Sequence, residues 1–370
     1  MRQVRNLWRL FFVCSFALSV LPAIAEGISW QAAAQRFAGL EATTGDPAYT
    51  AFQKRAAAAW ERYDKQIGQP LANWAKREVD YAGGGTVFYP FSGPDFVTVA
   101  RVYPNAERYV LVAMQHAGRP VAPGSMRRAE LRAFESRLGA AWEKFGRLGY
   151  FRTIDLDDDQ RAGPSRLGTI TILMAFAARL GYEVTALAPL SFNAGQGEWE
   201  VVSSDEKWKS VRLTLQKDGK KATVDYLSLD LSDSGLQRAE PQQAWIKRMS
   251  AQPALLKAAS HLLQQPNFVV VRDALVLNSP LVVQDETGLD HKDLVRIGGV
   301  RLYGHFRQAH SLFRSTTQRS LAAAYKAEKA PGELPFAFSY LVSSGARSMQ
   351  VARRDPAPEK RYVQTGLPGR

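Results

Sequence analysis

A hairpin signal near the middle of the chain constrains the fold more than any other feature. In SVRLTLQKDGKKATVDYLSLDL, residues 210–231, two runs of alternating apolar and polar residues flank the segment QKDGKK. An Asp-Gly pair between alternating runs is typical of a tight turn between antiparallel strands. The sequence therefore predicts antiparallel pairing around Lys217 to Lys221 and excludes an all-parallel sheet.

Helical patterns dominate the beginning of the chain. From Trp30 to Val79, large apolar residues recur at spacings near three and four, which indicates amphipathic helices. Gly45-Asp46-Pro47 predicts the start of a helix over residues 48–67, and Gly68-Gln69-Pro70 predicts its end. Further helical patterns cover residues 125–148 and 164–180.

Strand patterns begin near Ala82, where β-branched and aromatic residues become frequent. The predicted strands include TVFYPF (86–91), FVTVARVYP (96–104) and RYVLVAMQHAG (108–118). The segment AWIKRMSAQPALLKAASHLLQQ (244–265) is predicted to be helical, with Pro253 starting a second helix or kinking one. For residues 268–288 periodicity leaves strand and buried helix open.

These patterns predict an α+β fold, with a helical N-terminal segment followed by a mixed or largely antiparallel sheet and packed helices. The predicted division is a signal peptide at 1–25, a helical segment at 26–80, an α+β module at 81–352 and a flexible tail at 353–370. We see no internal repeat and no low-complexity tract.

The N-terminus resembles a secretory signal. Three arginines precede an apolar run from Leu10 to Leu21, and Ala23 and Ala25 occupy the positions that a signal peptidase reads. The alternative is an uncleaved anchor, but the run is shorter than the roughly 20 residues that span a bilayer. We expect cleavage after Ala25, a periplasmic or secreted protein, and a mature chain without cysteine, because Cys14 is the only one.

The formal net charge of +13 is compatible with an anionic envelope polymer as partner. Nucleic acid is not expected, because the basic residues are scattered and no RNP-type aromatic motif is present. No segment after the signal is predicted to cross a membrane, and no cofactor is predicted. The acidic run at 155–160 alternates like a calcium loop, but it lacks the required Gly at the sixth position and Glu at the twelfth. No metal site is predicted.

The stretch YPFSGPD, residues 89–95, follows a predicted strand. It matches neither a phosphate-binding glycine loop nor a nucleophile elbow, and no helix is expected directly after it. The structural interpretation is a turn in which Ser92 and Asp95 cap backbone donors. The functional alternative is a site in which Asp95 acts, with Tyr89, Phe91 and Ser92 as pocket walls.

The segment QDETGLDHKD, residues 284–293, holds the densest group of catalytic residue types in the chain. The group consists of Asp285, Glu286, Asp290, His291 and Asp293. A carboxylate beside a histidine could act as general base and orienting group, or these side chains could be metal ligands. The structural alternative is a polar turn with Gly288 at its tip. Because this loop and YPFSGPD each follow a strand-like run, the sequence raises the hypothesis that Asp95, Asp285, Glu286 and His291 converge in one site.

Several blocks resemble a family of uncharacterised secreted bacterial proteins. They include VFYPFSGPDF, YFRTIDL, YLSLDLSDSGL, LLKAASHLL, LVLNSPLVVQDETG, VRLYGHF and LPFAFSYLV. The resemblance implies secretion and one integrated module, and it implies no activity, cofactor or site residue. We therefore expect an exported envelope protein with a noncatalytic role, either in binding or in structure. The alternative is a hydrolase that uses the loop from Asp285 to Asp293.

Overall fold

The structure is a computed structural model that describes residues 29–42, 45–81, 83–149, 168–203, 208–306, 308, 318–337 and 347–354. Three predicted features lie outside the described residues: the predicted signal peptide at 1–25, the acidic run at 155–160 and residues 355–370 of the predicted tail. In the part of the chain that is described, no helix combines the length and apolar character needed to cross a membrane.

A mixed sheet of ten strands forms the centre of the described molecule, so the predicted α+β fold with a mixed sheet is confirmed. In chain order the strands are β1 (Thr86–Pro90), β2 (Arg108–Ala113), β3 (Glu183–Asn193), β4 (Glu198–Val201), β5 (Ser210–Lys217), β6 (Lys220–Ser228), β7 (Ala254–Leu256), β8 (Leu281–Gln284), β9 (Gly299–His305) and β10 (Arg347–Arg353). Their order across the sheet is β4-β3-β5-β6-β2-β1-β7-β8-β10-β9. The middle strands, from β6 to β8, run parallel, and the outer pairs are antiparallel.

Helices pack on both faces of this sheet. The helices are α1 (Trp30–Phe37), α2 (Pro47–Tyr63), α3 (Gln69–Glu78), α4 (Phe96–Val102), α5 (Arg128–Leu148), α6 (Thr169–Arg179), α7 (Asp233–Gln237), α8 (Glu240–Met249), α9 (Val269–Asn278), α10 (His291–Leu294) and α11 (Arg319–Ala327). A π-helical turn, Asp64–Gly68, joins α2 to α3, and short 3-10 turns cover Pro123–Ser125 and Ala258–Gln264.

Alternation along the central strands separates two hydrophobic cores. On β1, Val87 and Tyr89 enter the first core, which contains residues of α1 to α6, whereas Phe88 enters the second core with residues of α7 to α10. Successive side chains of a strand point to opposite faces, so each of the parallel strands β6, β2, β1, β7 and β8 contributes to both cores. Helices α1 to α3 share the first core with the sheet.

Local sequence explains the best-predicted elements. The side chain of Asp46 accepts a hydrogen bond from the backbone of Ala48, and Pro47 occupies the first turn of α2, which is the expected start of a helix. The predicted hairpin between β5 and β6 is present, and its turn residues Asp218 and Gly219 both have positive φ. An Asp-Gly pair suits this backbone because glycine, and to a lesser degree aspartate, tolerates the left-handed region.

Two predicted elements are wrong. Residues 96–102 form helix α4, not a strand, and residues 254–256 form strand β7, not a helix after Pro253. Most of the apolar side chains of α4 are buried. A helix that is buried on nearly all sides shows no amphipathic period, so its β-branched residues resemble a strand pattern. Strand β7 lies between β1 and β8, and this pairing overrides the helical tendency of Ala254-Leu255-Leu256.

The chain changes direction across the sheet between β1 and β7. Strand β1 continues through α4 to β2, which lies beside β1 on the side away from β7. Strand β7 continues through α9 to β8, which lies beside β7 on the side away from β1. Because α4 packs in the first core and α9 in the second, the two connections lie on opposite faces. A crevice forms at such a topological switch point, beyond the carboxyl ends of the strands, and ligands of open parallel sheets commonly bind there.

Candidate functional site

Charged side chains follow all three parallel strands at this switch point. Asp95 comes after β1, Lys257 after β7 and Asp285 after β8, and their exposed fractions are 8%, 4% and 1%. Charged groups are seldom buried to this degree unless they are paired or serve a function. The carboxyl edge of β1, β7 and β8 is therefore the candidate site.

The carboxylate of Asp95 receives three side-chain hydrogen bonds. Tyr89 Oη and Lys257 Nζ donate to Asp95 Oδ2 over 3.0 Å and 3.1 Å, and Thr98 Oγ1 donates to Asp95 Oδ1 over 2.6 Å. Lys257 Nζ also lies 3.4 Å from Thr98 Oγ1. These contacts differ from the predicted backbone cap, because the side chain of Asp95 bonds no backbone donor at the start of α4. Asp95 instead holds the ammonium group of Lys257 in a fixed position.

The turn between β1 and α4 has an unusual backbone that brings Asp95 to this place. Phe91 has φ of 59° and Gly93 has φ of 53°, both in the left-handed region. Positive φ at a bulky residue such as Phe91 is strained, and such strain is concentrated at functional sites. Ser92 is part of the same turn, where its backbone and its hydroxyl both donate to the carbonyl of Val112. Ser92 therefore supports the turn instead of capping a backbone donor.

Lys257 is positioned by the backbone of β7 and by Ser260. Its N–H donates to Ser260 Oγ over 3.0 Å, and Leu255, two residues earlier, lies in the first core. Because side chains alternate along a strand, Lys257 is directed to the same face of the sheet as Tyr89. Lys257 is thus placed between the loops that follow β1 and β8.

Asp285 is adjacent to Lys257 across the sheet. The N–H of Asp285 donates to the carbonyl of Leu256, which extends the pairing of β7 and β8 by one residue. The N–H and hydroxyl of Thr287 both donate to Asp285 Oδ1, over 2.9 Å and 2.5 Å. The other carboxyl oxygen, Oδ2, is buried and has no hydrogen-bond partner among the residues that the structure describes.

Burial and the neighbouring carboxylate of Glu286 raise the pKa of Asp285 well above its usual range. The hydrogen bonds from Thr287 and the charge of Lys257 act in the opposite direction, but burial outweighs them. A carboxyl group with a raised pKa can donate a proton, and a perturbed carboxyl group beside a specific charge is typical of functional sites.

Glu286 and His291 belong to a different network. Ser348 Oγ donates to Glu286 Oε2 over 2.7 Å, and His291 Nδ1 lies 2.8 Å from Gln350 Oε1. Ser348 and Gln350 alternate along β10 with residues of the first core, so they point to the second face of the sheet. Gln318 joins this network through the backbone of both Glu286 and His291.

The structure therefore brings two of the four candidate site residues together. Asp95 and Asp285 approach Lys257 on the first face, whereas Glu286 and His291 bond partners on the second. Of the candidate walls, Tyr89 contacts Asp95 through its hydroxyl, and Phe91 packs against Phe268 in the second core.

Sequence reasoning did not select Lys257 or Thr98. Lys257 lies in a segment predicted to be helical, where a lysine is expected to face solvent, and Thr98 lies in a predicted strand. A usable signal was present for Thr98, since it follows Asp95 by three residues at the spacing of one helical turn. No comparable local signal marks Lys257.

The chemistry available here is that of polar side chains. Within the described ranges, no group of three or more His, Cys, Asp or Glu side chains is arranged to hold a metal ion. The ammonium of Lys257 can stabilise negative charge, and Asp285 can exchange a proton with a bound molecule through Oδ2.

Comparisons with known proteins identify no relative. No family model matches the chain, and no curated protein and no solved structure matches it either.

Proposed function

We propose that this protein binds a small polar molecule at the carboxyl edge of β1, β7 and β8. The observation that carries the proposal is the buried Asp285 Oδ2, which has no hydrogen-bond partner among the described residues and lies beside Lys257 at a topological switch point. A buried polar atom without a partner destabilises a fold by about 1–3 kcal/mol. A ligand that hydrogen-bonds Oδ2 removes this penalty.

The site of action that we propose is the bacterial envelope. The support comes from residues 1–25, in which arginines, a short apolar run and the Ala23-Ile24-Ala25 segment follow the order of a secretory signal. Intact-mass measurement of protein recovered from the periplasm or the medium tests this part. A mass that retains residues 1–25 would contradict it.

Binding is tested by thermal unfolding of the wild type and of Asp285→Asn. Both proteins are screened against amino acids, neutral sugars, organic acids and phosphates. We expect at least one of these classes to raise the unfolding midpoint of the wild type and to leave that of the variant unchanged, because Oδ2 has been replaced. If every stabilising compound acts equally on both proteins, or if none stabilises the wild type, the proposal is wrong.

A second candidate, acid–base hydrolysis, is favoured by one observation, the raised pKa of Asp285 next to the ammonium of Lys257. In this case water attacks the substrate and its oxygen forms the new bond, while the bond to the leaving group breaks and Asp285 protonates that group. Asp285 then recovers a proton from the added water, and Lys257 stabilises developing negative charge. Chromogenic nitrophenyl esters, glycosides and phosphates are suitable substrates for the test. Turnover by the wild type that is lost in Asp285→Asn supports hydrolysis. If the wild type turns over none of the three substrate classes, the hydrolase candidate is wrong and the binding proposal remains.

A further inference from the structure

A polar cavity of about 190 Å³ lies beside the loop between β8 and α10. Its walls come from three segments: the 3-10 turn after β7, the first half of α9, and α10 with its flanking residues. These segments bury Leu263, Leu275 and Leu294 in the second core. The cavity therefore lies on the second face of the sheet, whereas Asp285 follows Val283 of the first core by two positions and is directed to the first face.

Hydrogen bonds to the backbone hold these walls together. Gln264 Nε2 donates to the carbonyl of Gly288 over 2.7 Å, which joins the 3-10 turn to the loop after β8. Arg272 Nη1 donates over 3.2 Å to a carbonyl of the same turn, which joins α9 to it. Asp290 Oδ1 accepts from the N–H of Lys292 and so fixes the start of α10. The cavity is thus formed by the fold itself, as binding cavities usually are.

Six charged side chains line the cavity, and positive and negative groups are equal in number. They are Arg272, Lys292, Arg296, Asp273, Asp290 and Asp293. Arg272 and Asp290 are engaged with the backbone. Asp293 Oδ1 lies 3.4 Å from Arg296 Nη1, so these two groups pair with each other.

The remaining two groups, the Lys292 ammonium and the Asp273 carboxylate, are available to a ligand. Lys292 is exposed, and its ammonium has no ion-pair partner in the part of the chain that the structure describes. The Asp273 side chain is 48% exposed, and its contact with Nε of the adjacent Arg272 is long, at 3.8 Å. The wall formed by α9 thus carries an available carboxylate, and the wall formed by α10 carries an available ammonium.

We propose that this cavity binds a small zwitterion, a molecule with one ammonium and one carboxylate group, such as an α-amino acid. The ligand carboxylate accepts from Lys292 Nζ, and the ligand ammonium donates to the carboxylate of Asp273. This second site is separate from the one at Asp285. It rests on the cavity and its charges, and it does not depend on the proposed function.

Charge and volume both restrict the ligand. An anion that pairs with Lys292 also approaches Asp273, and a cation that pairs with Asp273 also approaches Lys292, so each meets repulsion from a like charge. A zwitterion forms both charged hydrogen bonds at once. The volume of about 190 Å³ is below the roughly 300–1,000 Å³ of cavities that hold drug-sized molecules, so the ligand is no larger than a single amino acid.

The test compares amino acids with derivatives that keep only one charge. Glycine, alanine and serine are the zwitterions, their amides are the cations, and their N-acetyl forms are the anions. Binding at pH 7 is measured by saturation-transfer NMR and by NMR titration. We expect at least one amino acid to bind about fivefold or more tightly than both of its derivatives. Lys292→Met and Asp273→Asn should each weaken its binding by about the same factor, which corresponds to one charged pair.

Lys247→Met is the matched control. Lys247 is an exposed lysine of α8, which packs in the same core, and it does not line the cavity. We expect this variant to keep the amino-acid affinity of the wild type. The unfolding midpoints of all three variants should stay within about 2 °C of the wild type, because surface substitutions have small effects on stability.

Asp285→Asn distinguishes this site from the proposed one. Wild-type affinity in Asp285→Asn, together with weaker binding in Lys292→Met and Asp273→Asn, assigns the amino acid to the cavity. Loss of binding in Asp285→Asn with full affinity in the other two variants assigns it to the site at Asp285 and overturns the inference. The inference is also wrong if an amide or N-acetyl derivative binds more tightly than its parent, or if none of the three amino acids binds the wild type.

Discussion

Lys257 Nζ lies 3.1 Å from Asp95 Oδ2, although 162 positions separate the two residues in the chain. The contact joins the ends of two neighbouring strands, β7 and β1, at the switch point of the sheet. Both side chains are at least nine-tenths buried, so the pair is shielded from solvent. Its integrity should control both the stability of this edge and the geometry of the proposed site.

Removing the ammonium should destabilise the protein strongly. Lys257→Met keeps most of the side-chain volume but leaves Asp95 buried without its counter-charge, and breaking a buried pair in this way costs about 3–5 kcal/mol. The double variant Asp95→Asn/Lys257→Met should recover most of the loss, because neither charge remains. Urea unfolding of the single and double variants measures both effects. A double variant no more stable than Lys257→Met would show that the pair does not act as a unit.

Asp285→Asn should make the protein more stable at neutral pH. The pKa of Asp285 is raised in the folded state, so its contribution to stability is fully present below the unfolded pKa of about 3.9 and is lost as pH rises through the folded pKa. The asparagine variant lacks this loss. Its unfolding midpoint should exceed that of the wild type by about 2 °C or more at pH 7, with a smaller difference near pH 4. Thermal unfolding across this pH range decides the matter, and a variant that is less stable at pH 7 would contradict the assigned direction of the pKa.

Gly288→Ala should disrupt the loop that carries Asp285. A Cβ atom at this position would clash with Gln284 Oε1. The Gln284 side chain is buried, and it donates to the carbonyl of Leu289 and accepts from the N–H of the same residue. Because Gln284 cannot move without losing these bonds, we expect destabilisation by about 1–3 kcal/mol. Chemical denaturation measures it, and unchanged stability would mean that the loop adapts freely.

Substitution of His291 should leave the proposed site intact. The imidazole contacts Gln350 in the second network, so His291→Ala should lower stability by about 1 kcal/mol. Any compound that stabilises the wild type through Asp285 should stabilise this variant equally. If the compound no longer stabilises His291→Ala, the histidine belongs to the site, as predicted from the sequence.

The hairpin turn provides a test that is independent of function. Gly219 has φ of 76°, and a side chain there strains the backbone by roughly 1–2 kcal/mol even though nothing else lies within 4 Å. Gly219→Ala should therefore lower the unfolding free energy by about this amount. Gly124→Ala is a matched control, because its Cβ would also meet open space and its φ is not in the left-handed region. Equal behaviour of the two variants would contradict the assigned turn.

Elements that depend on near neighbours could be predicted from the amino-acid sequence. The turn at Asp218-Gly219 needs only two residues of suitable backbone freedom, and the start of α2 needs only Asp46 and Pro47. Helical periodicity identified α2 and α3 because each presents one apolar face to the core. The loops after β1 and β8 were also selected from local composition, and both contribute a residue to the candidate site.

The remaining features of the fold and the site depend on contacts between distant parts of the chain. Strand β7 has only three residues, too few to show the apolar and polar alternation of a strand. Its pairing with β1 and β8 fixes its conformation. The same pairing buries Lys257 between Asp95 and Asp285. The faces of the sheet then separate Asp285 from Glu286, although the two are consecutive in sequence. Hydrogen bonds between strands and burial against distant helices are interactions between residues far apart in the chain, and local sequence patterns carry no information about which distant residues will meet.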